Sequence, residues 1–167
     1  MDPIQPGDHQ GYMCLALSLA QKSPPKPTNY RVGAVLVDTS SNNILATGYT
    51  LELPGNTHAE QCCLIKLTEK HGVSEENLKE VLAPHIALYT TVEPCSERLS
   101  GNLPCVERVL RLAGSLQTVY VGIMEPETFV SSNTGRKSLT DAGIDVVHVK
   151  GLEEQILEVA TAGHVKA

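Results

Sequence analysis

One histidine and two cysteines lie far apart in this chain, and only a fold that joins distant segments can use them together. His58 stands two residues before Glu60, Cys95 follows Pro94, and Cys105 follows Pro104. A neutral imidazole and two thiolates suit Zn²⁺. Three protein ligands leave a fourth tetrahedral position for water, whereas a closed structural site fills it with a fourth residue. The set predicts one catalytic zinc per chain, held by His58, Cys95 and Cys105, with Glu60 as the proton carrier beside it.

The 167 residues suffice for one domain with a real core. A hydrophobic content of 41% against 19% charged residues predicts an ordered globular chain. Net charge is −6 and no Lys/Arg cluster stands out, which argues against a nucleic-acid partner, since such readers show a basic patch. Trp is absent and there is one Phe, so stacking platforms for bases are scarce. Five cysteines, an odd number, with no signal-like leader and no apolar run of membrane length, point to a reduced intracellular, cytoplasmic setting and no membrane partner.

Along the chain, residues 1–8 read as a loose tail. From about 9 to 22, Tyr12, Met13, Leu15, Ala16, Leu19 and Ala20 recur near helical spacing, with Cys14 read as packing. Three prolines between 23 and 29 end that helix. Residues 32–37 form an apolar strand, 38–43 a turn and 44–50 a return strand, giving a hairpin. A loop over 53–57 delivers His58, and a helix over about 59–71 ends at His71-Gly72. Ser74 opens a short helix to about 82. A strand over 86–92 delivers Glu93-Pro94-Cys95, followed by a polar insertion over 96–103 and a helix from Pro104 to about 112. Strands over 119–123 and 144–149, helices over 136–141 and 152–160, and a loose tail from about 162 to 167 complete the chain. This pattern predicts a single α/β domain over 1–167, a three-layer α/β/α sandwich with a five-stranded mixed sheet.

Each cysteine follows a proline near a predicted helix start, where unpaired N–H groups and the helix dipole favour thiolate. His58 and Glu60 open another helix, so the ligands are expected to face one cleft at the strand ends. A lone His before a helix is most often a cap, and a lone Pro-Cys is most often packing. The complete set in this order carries the metal reading. Cys62 and Cys63 fall inside the helix and read as core, and His9, His71, His85, His148 and His164 as surface or packing residues.

His-x-Glu followed by Pro-Cys and a second cysteine is the signature of zinc-dependent deaminases of bases and nucleosides. Over nearly its whole length the sequence resembles the cytidine-deaminase-like superfamily. Nine residues separate Cys95 from Cys105 in place of the usual Cys-x-x-Cys. That span resembles the pyrimidine deaminases of riboflavin biosynthesis, with Thr91, Glu93, Pro94, Cys95, Ser96, Gly101, Pro104 and Cys105 at the matching places. Asn29 with Val32-Gly33-Ala34-Val35 resembles the family segment whose Asn contacts substrate, and Thr134-Gly135 through Ala142-Gly143-Ile144 the region before its last strand. Leu51, Tyr30, Glu97 and Asn102 depart from the bacterial enzymes. The stretch from Glu97 to Asn102, and Pro54-Gly55-Asn56-Thr57, look instead like the fungal type.

The resemblance implies hydrolytic exchange of the 2-amino group of 2,5-diamino-6-ribitylamino-4(3H)-pyrimidinone 5′-phosphate for oxygen, with release of ammonia. It implies Glu60 as catalytic residue and Asn29, Ala59, Ser96, Glu97, Arg98, Gly101, Asn102, Asn133 and Arg136 as substrate contacts. Arg31, Arg98, Ser100, Asn102 and the 133–137 stretch are the phosphate candidates. A homodimer is also implied. Other readings stay open: deamination of cytosine, cytidine or guanine, of tRNA or DNA, or a non-catalytic zinc subunit.

Overall fold

Five of the six residues of strand β1 (Gly33–Asp38) and all seven of β3 (Ile86–Val92) are buried, so the sheet is covered on both faces. The computed structural model describes residues 2–96, 98, 101–124 and 135–164. The remaining strands are β2 (Asn43–Tyr49), β4 (Leu116–Ile123) and β5 (Asp145–His148). The sheet order is β2-β1-β3-β4-β5. β1 runs antiparallel to β2 and β3, whereas β3, β4 and β5 are mutually parallel. The expected five-stranded mixed sheet is therefore observed.

Alternation along the strands sorts the core into two layers. Val35, Val37 and Tyr89 face helices α1 (His9–Ala20) and α5 (Glu153–Ala160), packing with Tyr12, Met13, Ala16 and Ile156. Ala34, Leu36 and Leu88 face α2 (Ala59–His71), α3 (Cys105–Leu110) and α4 (Gly135–Asp141), packing with Leu64, Leu67, Val106 and Leu139. Two glycines let helix backbones approach the sheet. A Cβ on Gly33 would lie 1.8 Å from the carbonyl oxygen of Ala16, and one on Gly48 would lie 2.2 Å from that of Ala59. The second contact seats the first turn of α2 directly on β2.

Several expectations need correction. Cys14 is exposed, because the buried face of α1 is Tyr12, Met13, Ala16, Leu19 and Ala20, and helical geometry turns position 14 to the opposite side. The helix after Ser74 is a 3-10 helix over Glu75–Val81. Leu78 is its one buried residue, too little apolar surface to hold an α-helical face. β4 begins at Leu116, which pairs with Ile86, three positions before the expected start. The segment before α1 is tied down, with Asn42 Nδ2 donating to the carbonyl of Ile4 at 2.9 Å and Asp8 capping α1 through the N–H of Gly11. Residues 161–164 dock as well: His164 Nε2 lies 2.9 Å from the carbonyl oxygen of Asn29, and its ring meets Tyr30 edge-on. No helix among the described residues is long and apolar enough to cross a membrane.

Candidate active site

The site forms where the parallel strands β3 and β4 end. The N–H of Glu93 donates to Ile123 at 2.9 Å, keeping the two strands paired to their ends, and Pro94-Cys95 follows. His58 immediately precedes α2, and Cys105 is the first residue of α3. His58 Nδ1 lies 3.5 Å from the sulfur of Cys95 and 3.5 Å from that of Cys105. The three donor atoms all fall within 4.8 Å of one another. A tetrahedral zinc with ordinary Zn–N and Zn–S bonds holds nitrogen and sulfur about 3.5 Å apart, and both His58–cysteine separations match that spacing.

Cys95 sits in a loop, not at a helix start as the sequence suggested. The start of α3 serves it nonetheless. The N–H of Cys105 donates to Cys95 Sγ at 3.3 Å, and that of Val106 to the carbonyl of Cys95 at 3.0 Å. Hydrogen bonding from Cys105, helped by His58, holds the Cys95 thiol down to about 4. Sharing with Cys95, and then burial, push the Cys105 thiol up. One thiolate therefore stands ready and the second sulfur gives up its proton when metal binds.

Glu60 is only 4% exposed. Burial, and then the charge of Cys95, raise its carboxyl above the usual range. Thr90 Oγ1 donates to Glu60 Oε1 at 2.9 Å and lies the same distance from the carbonyl of Val92. Thr90 was not singled out from the sequence. Its signal was a pair of threonines, Thr90-Thr91, in a strand otherwise of apolar character, and both are fully buried. Thr91 Oγ1 accepts the N–H of Gly33 at 3.1 Å.

The expected substrate-side residues fall into groups. Ala59 is buried between His58 and Glu60. Asn29 is half-buried, and its Nδ2 donates to Asn56 Oδ1 at 3.0 Å in the loop leading to His58. Ser96 follows Cys95, its hydroxyl oxygen buried with no protein partner among the described residues. Gly101 takes a left-handed conformation at φ 78° and donates to the carbonyl of Arg98, with exposed Asn102 next in sequence. Arg136 is exposed at the start of α4, and its Nη2 lies 3.0 Å from Glu93 Oε2. Glu97, Ser100, Asn133 and Thr134 lie outside the described residues. Arg31 does not join the site. Its guanidinium donates to the carbonyls of Ser23 and Gln21, tying the chain after α1. Cys62 and Cys63 are wholly buried in α2.

A mixed sheet with a His-Cys-Cys set and a buried glutamate at its strand ends defines the class of zinc-binding deaminases. The cytidine and deoxycytidylate deaminase zinc-binding region matches residues 6–123, and the chain belongs to this family. It is 36% identical over 161 residues to the diaminohydroxyphosphoribosylamino-pyrimidine deaminase of Schizosaccharomyces pombe, covering 96% of this chain and 37% of that protein. The chain thus spans little more than a third of that relative. The crystal structure of Aspergillus oryzae Rib2 deaminase, a C-terminal deletion mutant at pH 6.5, superposes with a TM-score of 0.84 at 49% identity, covering 93% of this chain and 92% of that one. The same deaminase in complex with DARIPP gives 0.84 at 48% identity, covering 93% and 91%.

Proposed function

We propose that the chain is a zinc-dependent hydrolase of riboflavin biosynthesis that deaminates 2,5-diamino-6-ribitylamino-4(3H)-pyrimidinone 5′-phosphate. The observation that carries this reading is the convergence of His58, Cys95 and Cys105 beside buried Glu60. The near half-identity to a Rib2 deaminase solved with DARIPP supports the choice of substrate. Zinc bound to these three residues supplies Lewis acidity that makes water a competent nucleophile at neutral pH.

Glu60 takes the proton of the attacking water and hands protons to the ring nitrogen and then to the amine. The C–N bond breaks, a carbonyl forms at the ring carbon, and ammonia leaves. Proton transfer of this kind contributes about 10²–10⁴-fold. The Thr90 hydroxyl has one proton to give. It donates to Glu60 while the carboxylate is ionised, and turns to the Val92 carbonyl while Glu60 carries the proton.

On the substrate side we assign Asn29, Ala59, Ser96, Gly101, Asn102 and Arg136, with Glu97 and Asn133. Arg136 is the phosphate contact best supported, because buried Glu93 holds its guanidinium at the strand end while the side chain is 47% exposed. The protein acts in the cytoplasm as a homodimer, with no nucleic-acid partner. Chelation tests the reading. Removing zinc should abolish ammonia release from the ribityl substrate and restoring one equivalent should recover it, whereas undiminished release without metal would contradict it. Light scattering tests the dimer.

A further inference from the structure

We propose that Arg98 is a positioning residue that locks together the two segments carrying the metal ligands, in place of the phosphate contact suggested by the sequence. The inference rests on the zinc reading of His58, Cys95 and Cys105.

Arg98 lies in the span between the two cysteines, and its guanidinium reaches three neutral oxygens on both sides of the metal site. Nη1 donates to Gln61 Oε1 at 3.0 Å and approaches the carbonyl of Leu103 at 3.5 Å. Nη2 donates to the carbonyl of Asn56. Asn56 stands two residues before His58, Gln61 three residues after it, and Leu103 two residues before Cys105. Gln61 Oε1 also accepts the backbone N–H of His58 at 3.2 Å. One rigid planar group therefore connects the loop before His58, the first turn of α2 and the approach to Cys105. These acceptors take both N–H groups of Nη1 and one of Nη2, so the end-on fork of the two terminal nitrogens is not open to a phosphate. The Nε N–H is buried, with no protein partner among the described residues.

The consequence is preorganisation of the donor triangle. Groups that orient metal ligands without touching the metal affect affinity by about 10–100-fold when removed. Lysine carries the charge but not the fork, and cannot span these oxygens from one plane.

The test uses the zinc-loaded full chain and follows zinc transfer to a chromogenic chelator, with the KM for the ribityl substrate measured at saturating zinc. Arg98→Gln and Arg98→Lys should each release zinc about 10–100-fold faster with KM within about twofold of the parent. Gln61→Leu removes the shared acceptor and should accelerate release likewise, while Gln61→Glu keeps acceptor oxygens and should release zinc at the parental rate. This pair tests the clamp even if the Arg98 variants do not fold. Parental zinc release in Arg98→Gln with a raised KM would overturn the proposal and make Arg98 a substrate contact, as would parental release in Gln61→Leu. Zinc release needs no substrate, so its outcome is independent of whether the substrate assignment stands.

Discussion

Thr90 donates its hydroxyl to Glu60 across 2.9 Å, from a strand position where neither residue is open to solvent. The Thr90 hydroxyl and a backbone N–H thus hold the carboxylate inside a buried site. A hydrogen bond to a charged group contributes roughly 1.5–3 kcal/mol. Thr90→Val, of nearly the same shape, should therefore lower kcat about 10–100-fold. Glu60→Gln should lower it about 10²–10⁴-fold. Both variants should retain close to one zinc per chain by metal analysis. Full turnover in Glu60→Gln would remove Glu60 from the mechanism.

The two kinds of buried cysteine should separate in metal content. Cys105 lies 3.5 Å from the His58 nitrogen, whereas Cys62 is equally buried but outside the donor triangle. Cys105→Ser should leave the purified protein well below one equivalent of zinc, and Cys62→Ala should leave it near one. Equal zinc in both would place the metal elsewhere.

Gly48 couples fold to site. A Cβ there would meet the Ala59 carbonyl at 2.2 Å and the Cys62 Cβ at 3.1 Å, so Gly48→Ala must push the first turn of α2 off β2. Overpacking of this kind costs about 1–3 kcal/mol, and the melting temperature should fall by roughly 2–12 °C. Because His58 opens that turn, zinc release should also quicken. An unchanged melting temperature would show that α2 yields freely.

Much of this was legible in the sequence because it is local. β3 over Ile86–Val92 is an apolar run set off by Pro84 and Pro94, and α2 stops at Gly72, which takes the left-handed cap at φ 65°. The triad was legible because the chemistry of His, Cys and Cys is specific even when they lie far apart. What escaped was tertiary. The first residues of β4, Leu116 to Thr118, follow a turn at Gly114 and look like loop until β3 supplies their partner. Thr90 has meaning only beside Glu60. Arg31 looked like a free cation until the structure set the carbonyls of Gln21 and Ser23 against it.

The docked C-terminal turn is another such contact. His164 meets the carbonyl of Asn29, Gly163 packs against residues 25 and 26, and Ala160 accepts the N–H of Arg31 at 3.0 Å. These contacts seat the loop that presents Asn29. His164→Ala removes one neutral hydrogen bond, about 1 kcal/mol, and should raise KM about fivefold while kcat and zinc content hold. An unchanged KM would mean that the turn does not set the position of Asn29.

The most direct measurement of the central claim is ammonia release across a panel of ribityl and ribosyl pyrimidine phosphates, cytidine and guanine, with the zinc-loaded chain. The account predicts rapid release from the ribityl compound, loss of that release in Glu60→Gln, and little or none from cytidine or guanine. Release from cytidine or guanine alone would contradict it.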